Sequence, residues 1–236
     1  MPHVIWAEAK LPDYEYAVKS RNRWRVLEAI ASKGGVANFK DIERASGVKG
    51  STLTHHLDVL QSLNIVDREV KGTYRLKYKT PLCYLFGRES EVPFAYYGLL
   101  GRKDDICDPE PEVALKLLEK EGVTPKLVYV TTSHEALSDW KDLKLQYQWI
   151  LCYEDQILDI DAVKRNVISW LESSLKEYVA ILDCTSATKP ATLAYYELAQ
   201  MFYTPLIYVY EPTRTLKWLV SKETIKRRLG IPKGEE

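Results

Sequence analysis

Between Ile181 and Leu193 a strand-like run meets a polar turn and a helix start, and the turn is built from residue types that hold an anion. Val179, Ile181 and Leu182 are apolar and strand-forming, and the strand ends on Asp183. Pro190 suits the first position of a helix, where its missing N–H removes no hydrogen bond. Between the two, Thr185, Ser186, Thr188 and Lys189 set hydroxyls, backbone N–H groups and one cation at a helix N-terminus. Free N–H groups and the helix dipole favour a negative ligand such as phosphate there. In an open α/β sheet this carboxyl edge is also where ligands bind. Such a turn has a plainer use as well, since Thr and Ser often only cap a helix. Cys184 lies inside the turn, but no histidine is near it in sequence, so a filler role is expected rather than a nucleophile.

Asp183, Thr185, Ala187 and Lys189 match, position by position, a pattern written roughly Asp-x-Thr/Ser-x-Gly/Ala-x-Lys/Arg. In this the chain resembles the CARF family (CRISPR-associated Rossmann fold), whose members sense cyclic oligoadenylates. The resemblance covers roughly residues 93–212 and rests mostly on this one loop. It implies a homodimer in which two equivalent loops face one another across a two-fold axis, an arrangement suited to cyclic tetra-adenylate. Lys189 would then neutralise phosphate, while Thr185, Ser186, Ala187 and Thr188 supply hydroxyl and N–H donors. Thr132 and Ser133 would line the rim, with Gly101 at the end of the first strand beside them. Asp183 would fix the shape of the loop.

The rest of the chain must position that loop. Its 236 residues, 46% hydrophobic, leave room for a small domain and a medium one. No apolar run is long enough to span a bilayer, and the N-terminus lacks a basic segment followed by an apolar one. Neither a membrane span, a membrane partner nor a signal peptide is expected. Cys83, Cys107, Cys152 and Cys184 are scattered, no Cys-x-x-Cys pair exists, and the four histidines complete no metal set. A reducing cytoplasm, no structural zinc and no cofactor are therefore expected. Asn, Gln and Met are scarce beside Lys, Glu and Tyr, a balance that points to a thermophilic source.

Net charge is zero, but the halves differ: residues 1–87 carry eight Lys and six Arg against nine acids, and the remainder is correspondingly acidic. That asymmetry points to a polyanion as the partner of the first half. Trp24, Leu27 and Ile30 fall at helical spacing between Arg21 and Lys33, and Gly34-Gly35 ends that helix. Asn38 caps a second helix over 39–45 with Ile42 and Ala45 inward. A third, from about Ser51 to Ser62, buries Leu53, Leu57 and Leu60. The stretch 65–70 alternates as a strand, Lys71-Gly72 turns it, and 73–78 returns. Three helices and a basic hairpin make a winged helix-turn-helix, and the stretch Ile42 to Val66 resembles the bacterial and archaeal winged-helix regulators. The resemblance places the third helix in the major groove of double-stranded DNA, with Lys49, Ser51, Thr52, Thr54 and His55 forward, while Arg68, Lys71 and Arg75 of the wing meet phosphates or the minor groove. Protein contact is the other use of such a module. His55 and His56 are adjacent on a helix and point apart, so they do not form a metal site.

A charged linker is expected at roughly 86–93. Beyond it, strands at 94–100, 126–130, 147–152, 179–183 and 206–210 alternate with helices at 111–121, 161–176 and 190–203, followed by Leu216 to Val220 and a basic helix around Lys226 to Arg228. This is α/β patterning: a parallel sheet with helices on both faces. Gly98-Leu-Leu-Gly101 lacks the third glycine and the distant acid of a dinucleotide site, which argues against an NAD-dependent enzyme. The expected layout is a winged helix-turn-helix over 1–87 and a Rossmann-like CARF domain over 88–236. In the family such a DNA-binding module usually sits at the other end, so the order is reversed here.

Three functions fit this reading. The first is a CRISPR-associated transcription regulator in antiviral defence, in which a cyclic oligoadenylate alters operator affinity. The second is an enzyme, a ring nuclease that cleaves cyclic tetra-adenylate slowly with Lys189 and Ser186. Ring nucleases of the family often carry a Ser or Thr after the first strand, where this chain has Leu99, Leu100 and Gly101. The third is a DNA-binding protein whose second domain only dimerises.

Overall fold

The computed structural model describes residues 11–87, 92–103, 108–140, 143 and 146–231, apart from the side chain of Lys71. Cys107, residues 88–91 of the expected linker and the Lys71 side chain thus lie outside the described residues. The chain divides into two compact units, Met1–Glu91 with Lys226–Glu236, and Val92–Ile225. The last eleven residues therefore group with the first unit, whereas the sequence reading assigned them to the second.

The first unit runs α1 (Tyr14–Val18), α2 (Arg21–Ala31), β1 (Val36–Asn38), α3 (Phe39–Ser46), α4 (Gly50–Ser62), β2 (Val66–Arg68), β3 (Thr73–Leu76) and α5 (Leu82–Phe86). The strands form one antiparallel sheet in the order β1-β3-β2. Its core is the apolar stripe of each helix: Leu27 and Ile30 of α2, Ile42 of α3, and Leu53, Leu57 and Leu60 of α4 are all fully buried. Asn38 caps α3, its side chain accepting from Asp41 N at 2.9 Å, a contribution of about 1 kcal/mol. Gly47 ends α3 at φ +70, the left-handed C-cap that glycine adopts without strain. Ala45, expected inside, is exposed, and Ser46 is buried in its place with its hydroxyl accepting from Val48 N at 3.2 Å. The hairpin is shorter than expected because residues 70–72 form a 3₁₀ turn, with Val70 85% exposed at its tip. β1 and α5 were not legible: three residues give no period, and α5 is a five-residue turn of helix that ends where the linker was expected to begin.

In the second unit come β4 (Phe94–Leu99), α6 (Glu110–Lys120), β5 (Leu127–Ser133), α7 (His134–Asp139), β6 (Gln148–Cys152), α8 (Glu154–Ile157), α9 (Ile160–Leu175), β7 (Val179–Asp183), α10 (Lys189–Phe202), β8 (Leu206–Tyr210) and β9 (Thr215–Val220). A final helix, α11 (Lys222–Leu229), carries the chain back across the boundary. The sheet order is β6-β5-β4-β7-β8-β9, parallel except for β9, which pairs antiparallel with β8. This is the doubly wound, Rossmann-like order, with the chain reversing direction across the sheet between β4 and β7. The antiparallel sixth strand was unforeseen as a sheet member. Thr131, Thr132 and Ser133, expected to close β5, belong to it and pair with Ile150, Leu151 and Cys152 of β6.

β4 is buried along its whole length although it carries two tyrosines. Neighbouring residues on a strand point to opposite faces, so each ring needs its own polar partner. Tyr96 donates to Asp183 Oδ2 at 2.6 Å, and on the other face Tyr97 donates to Trp170 O at 2.8 Å. Gly98 follows because a Cβ there would lie 2.6 Å from the Tyr96 ring and hydroxyl. Tyr195 of α10 donates to Gly98 O at 3.1 Å and contacts the Thr131 hydroxyl at 2.9 Å. These bonds pin β4, β5, β7 and α10 in one register, which fixes the loops that follow them.

Candidate functional site

The loop between β7 and α10 is shaped by Asp183. Its Oδ1 accepts from Thr185 N at 2.9 Å and from the Thr185 hydroxyl, and its Oδ2 accepts from Tyr96. Burial of this carboxyl pushes its pKa up to about 6, against the pull of those hydrogen bonds. Thr185 Oγ1 in turn accepts from Val209 N at 2.8 Å, tying the loop to β8. Ala187 sits at φ +70, a left-handed conformation that costs a residue with a Cβ about 1 kcal/mol. Thr188 caps α10, accepting from Ala191 N at 3.3 Å and donating to Ile157 O at 2.6 Å. The backbone N–H groups of Ser186, Ala187, Thr188 and Lys189 donate to no described residue. The Cys184 thiol donates to Ile207 O at 3.3 Å, and burial pushes its pKa up to about 12, so it is no nucleophile.

A cavity of about 450 Å³ opens beside this loop. Thr185, Ser186, Ala187 and Thr188 line it from the β7 side, and Leu100, Gly101 and Arg102 from the end of β4. Ser133 and Ala136 enter from the β5–α7 junction, and Glu154, Ile157 and Leu158 from α8. The cavity thus lies at the carboxyl ends of β4 and β7, at the point where the strand order reverses. Gly101 makes the fit. Its N–H donates to Ser186 Oγ at 2.9 Å, and a Cβ there would stand 3.0 Å from that oxygen and 3.2 Å from Ala187 N. Trp140 Nε1 donates to Gly101 O at 3.0 Å and holds the strand end from the opposite side.

Several expected roles change. Thr132 does not reach the rim, being fully buried with its hydroxyl donated to Leu100 O at 2.8 Å. Asp183 and Lys189 are not among the lining residues, and Lys189 is exposed at the first position of α10. Ser133 does line the cavity, but its hydroxyl caps α7 by accepting from Ala136 N at 3.0 Å. The hydroxyls of Thr185, Ser186 and Thr188 are likewise engaged within the protein. What the loop leaves open is its backbone. Of the two kinds of donor expected from the sequence, hydroxyls and backbone N–H groups, only the N–H groups stand open.

The sequence reading also missed the acids. Glu110, Glu154 and Glu211 line the cavity, with Arg102 as the cation among its lining residues, paired to Glu154 at 2.8 Å. Glu110 opens α6 and is only 7% exposed; its Oε1 accepts from Ser186 Oγ at 2.8 Å. Its Oε2 is buried and has no hydrogen-bond partner among the described residues. Burial raises its pKa, and Glu211 and Asp183 add to the rise, while its own backbone and the Ser186 hydroxyl oppose it. An acid in a first helical turn is ordinary dipole complementarity, so nothing in the sequence marked this one.

No protein-family model matches the chain, and no curated protein matches it. Among solved structures it is similar to Can2 from Sulfobacillus thermosulfidooxidans, solved in complex with cyclic tetra-adenylate, at 16% identity and a TM-score of 0.40 over 55% of this chain and 35% of that one. It is also similar to Csm6 from Enterococcus italicus, solved bound to cyclic hexa-2′-fluoro-hexa-dAMP, at 14% identity and a TM-score of 0.40 over 59% of this chain and 39% of that one. This chain thus spans little more than a third of the length of either.

The first unit carries a second candidate surface. Lys49, Ser51, Thr52, Thr54 and His55 are all exposed at the start of α4, on the side away from Leu53 and Leu57. Gly50 N donates to Glu43 Oε1 at 3.0 Å, and the Thr54 hydroxyl turns back to Gly50 O at 3.3 Å. Arg68 is exposed, whereas Arg75 is partly buried with Nε on Glu69 Oε1 at 2.5 Å. The His55 and His56 rings lie 5.6 Å apart. Burial lowers the pKa of His56, as do His55 and Arg23, and neither of its ring nitrogens has a partner among the described residues. No described helix is long and apolar enough to cross a membrane.

Proposed function

We propose that the chain is a CRISPR-associated transcription regulator that holds a cyclic oligoadenylate in the cavity of the second unit and double-stranded DNA on α4 and the hairpin of the first. The observation that carries the ligand half is the cavity's position at the sheet's reversal point, lined by a loop whose successive N–H groups have no partner among the described residues. Such a run of donors at a helix N-terminus suits a phosphate. The choice of a cyclic oligoadenylate rests on the resemblance of Asp183, Thr185, Ala187 and Lys189 to the signature loop. The DNA half is supported by the basic first unit and by the exposed polar start of α4. A homodimer would present two such helices to a palindromic operator and two loops to one ring.

Of the other readings, cleavage is less well supported. Ser186 Oγ is already shared between Gly101 N–H and Glu110, and Lys189 stands outside the cavity lining. A second unit that only dimerises would have no use for the open cavity. The test is a gel shift of promoter DNA with and without cyclic tetra-adenylate, with the nucleotide then resolved by chromatography. The proposal expects a ligand-dependent change in DNA affinity and intact nucleotide. Linear products would favour the nuclease, and an unchanged shift would leave the dimerisation reading.

A further inference from the structure

Glu110 is a buried carboxyl with one oxygen engaged and the other free among the described residues, in the wall of an open cavity. A buried acceptor without a partner is expensive, and native structures rarely leave one so unless something else completes it. Three features fix where that partner would come from. Glu110 Oε1 is fastened to Ser186 Oγ, which is fastened to Gly101 N–H. The carboxyl is therefore aimed by the same loop whose backbone N–H groups are open. Opposite signs of group then stand side by side: N–H donors suited to phosphate oxygens, and a carboxyl suited to a ligand donor. In a 3′–5′-linked ribonucleotide the donor nearest a phosphate is the 2′-hydroxyl, on the carbon next to the one bearing the phosphoester.

We infer that Glu110 is a specificity-determining residue of this cavity, its free Oε2 accepting a hydrogen bond from a ribose 2′-hydroxyl while the adjoining N–H groups of residues 186–188 hold the phosphate. The inference rests on the cyclic oligoadenylate reading and deepens it, because it makes the cavity selective for ribose over deoxyribose. Burial of Glu110 works in the same direction. A carboxyl that has lost its water gains more from one well-placed donor than an exposed one does.

The experiment is calorimetric titration of the full chain with cyclic tetra-adenylate, its all-2′-deoxy counterpart and cyclic tetra-inosinate, each against wild type, Glu110→Gln and Glu110→Ala. Gln keeps an acceptor for Ser186, and melting curves on all three proteins report folding. Wild type should prefer ribose to deoxyribose by about tenfold or more, as expected for a hydrogen bond to a charged group. Glu110→Ala should bind both rings equally, with Glu110→Gln between. The deoxy arm on wild type needs no substitution, so it decides the matter even where a variant fails to fold. Equal affinity of wild type for ribo and deoxy rings overturns the inference while leaving the ligand reading standing. Affinity lost with inosinate but kept with the deoxy ring also overturns it, reassigning the carboxyl to the adenine amine. Absence of binding by every ring overturns the ligand reading and this inference with it.

Discussion

Asp183 is the residue on which the loop's shape turns, and it is ionised against its environment. Three donors hold the carboxylate, yet burial outweighs them and lifts its pKa from 3.8 to about 6. The folded state therefore keeps a proton that the unfolded chain has lost over that interval. Stability from this group is fullest below about pH 4 and falls as pH rises to 6, by about 3 kcal/mol. Melting curves of wild type and Asp183→Asn from pH 4 to pH 7 should converge in slope only outside that window; parallel curves throughout would contradict the assignment. Ala187 offers a second check. At φ +70 its Cβ is strained, so Ala187→Gly should leave stability unchanged or raise it by up to about 1 kcal/mol, read by denaturant midpoint. Gly101→Ala should do the reverse at the ligand, since its Cβ would crowd Ser186 Oγ at 3.0 Å. A loss of affinity of about fivefold to tenfold is expected, from one hydrogen bond displaced. The four matched positions of the signature loop were legible because the pattern is local. That its hydroxyls face inward was not, since their partners, Val209, Ile157 and Glu110, lie 24 to 76 residues away.

The elements differ in how openly the chain announces them. α2, α3 and α4 were legible from apolar spacing and caps, because each buries one stripe and shows one polar face. β4, β7 and β8 were legible as short apolar runs between turns. β1, α5, α7 and α8 span three to six residues, too few for a period of 3.6 to emerge. The ends of β5 were misjudged for a related reason: threonine and serine suit a loop as well as a strand, and only pairing with β6 decides. At this scale the DNA reading makes a graded prediction. Arg68 is exposed, so Arg68→Ala should lower affinity alike on every sequence and flatten the salt dependence by about one unit of slope. Arg75 already holds Glu69 at 2.5 Å, so Arg75→Ala should flatten it less. Alanine at Lys49, Thr52 and His55 should instead erode discrimination between operator and random DNA, by about 1–3 kcal/mol per good base contact. Gel-shift titrations at several salt concentrations read all three. Unchanged affinity in a variant combining all five would remove α4 and the wing as a DNA surface.

At the scale of the whole molecule, the charge split pointed to two unlike halves, and the alternation of strands and helices named the α/β class of the second. What sequence could not supply was the electrostatic character of the cavity. Its acids come from the start of α6, from α8 and from the end of β8, and only the doubly wound order brings them to one edge. A cyclic oligoadenylate held there would set its phosphates on open backbone donors and its own donors on the carboxyls. A dimer would let one ring engage two loops. Calorimetric titration of the full chain with cyclic tetra-adenylate tests this most directly. Saturable binding at one ring per two chains is expected, and no heat from any cyclic tri-, tetra- or hexa-adenylate would contradict the proposed ligand.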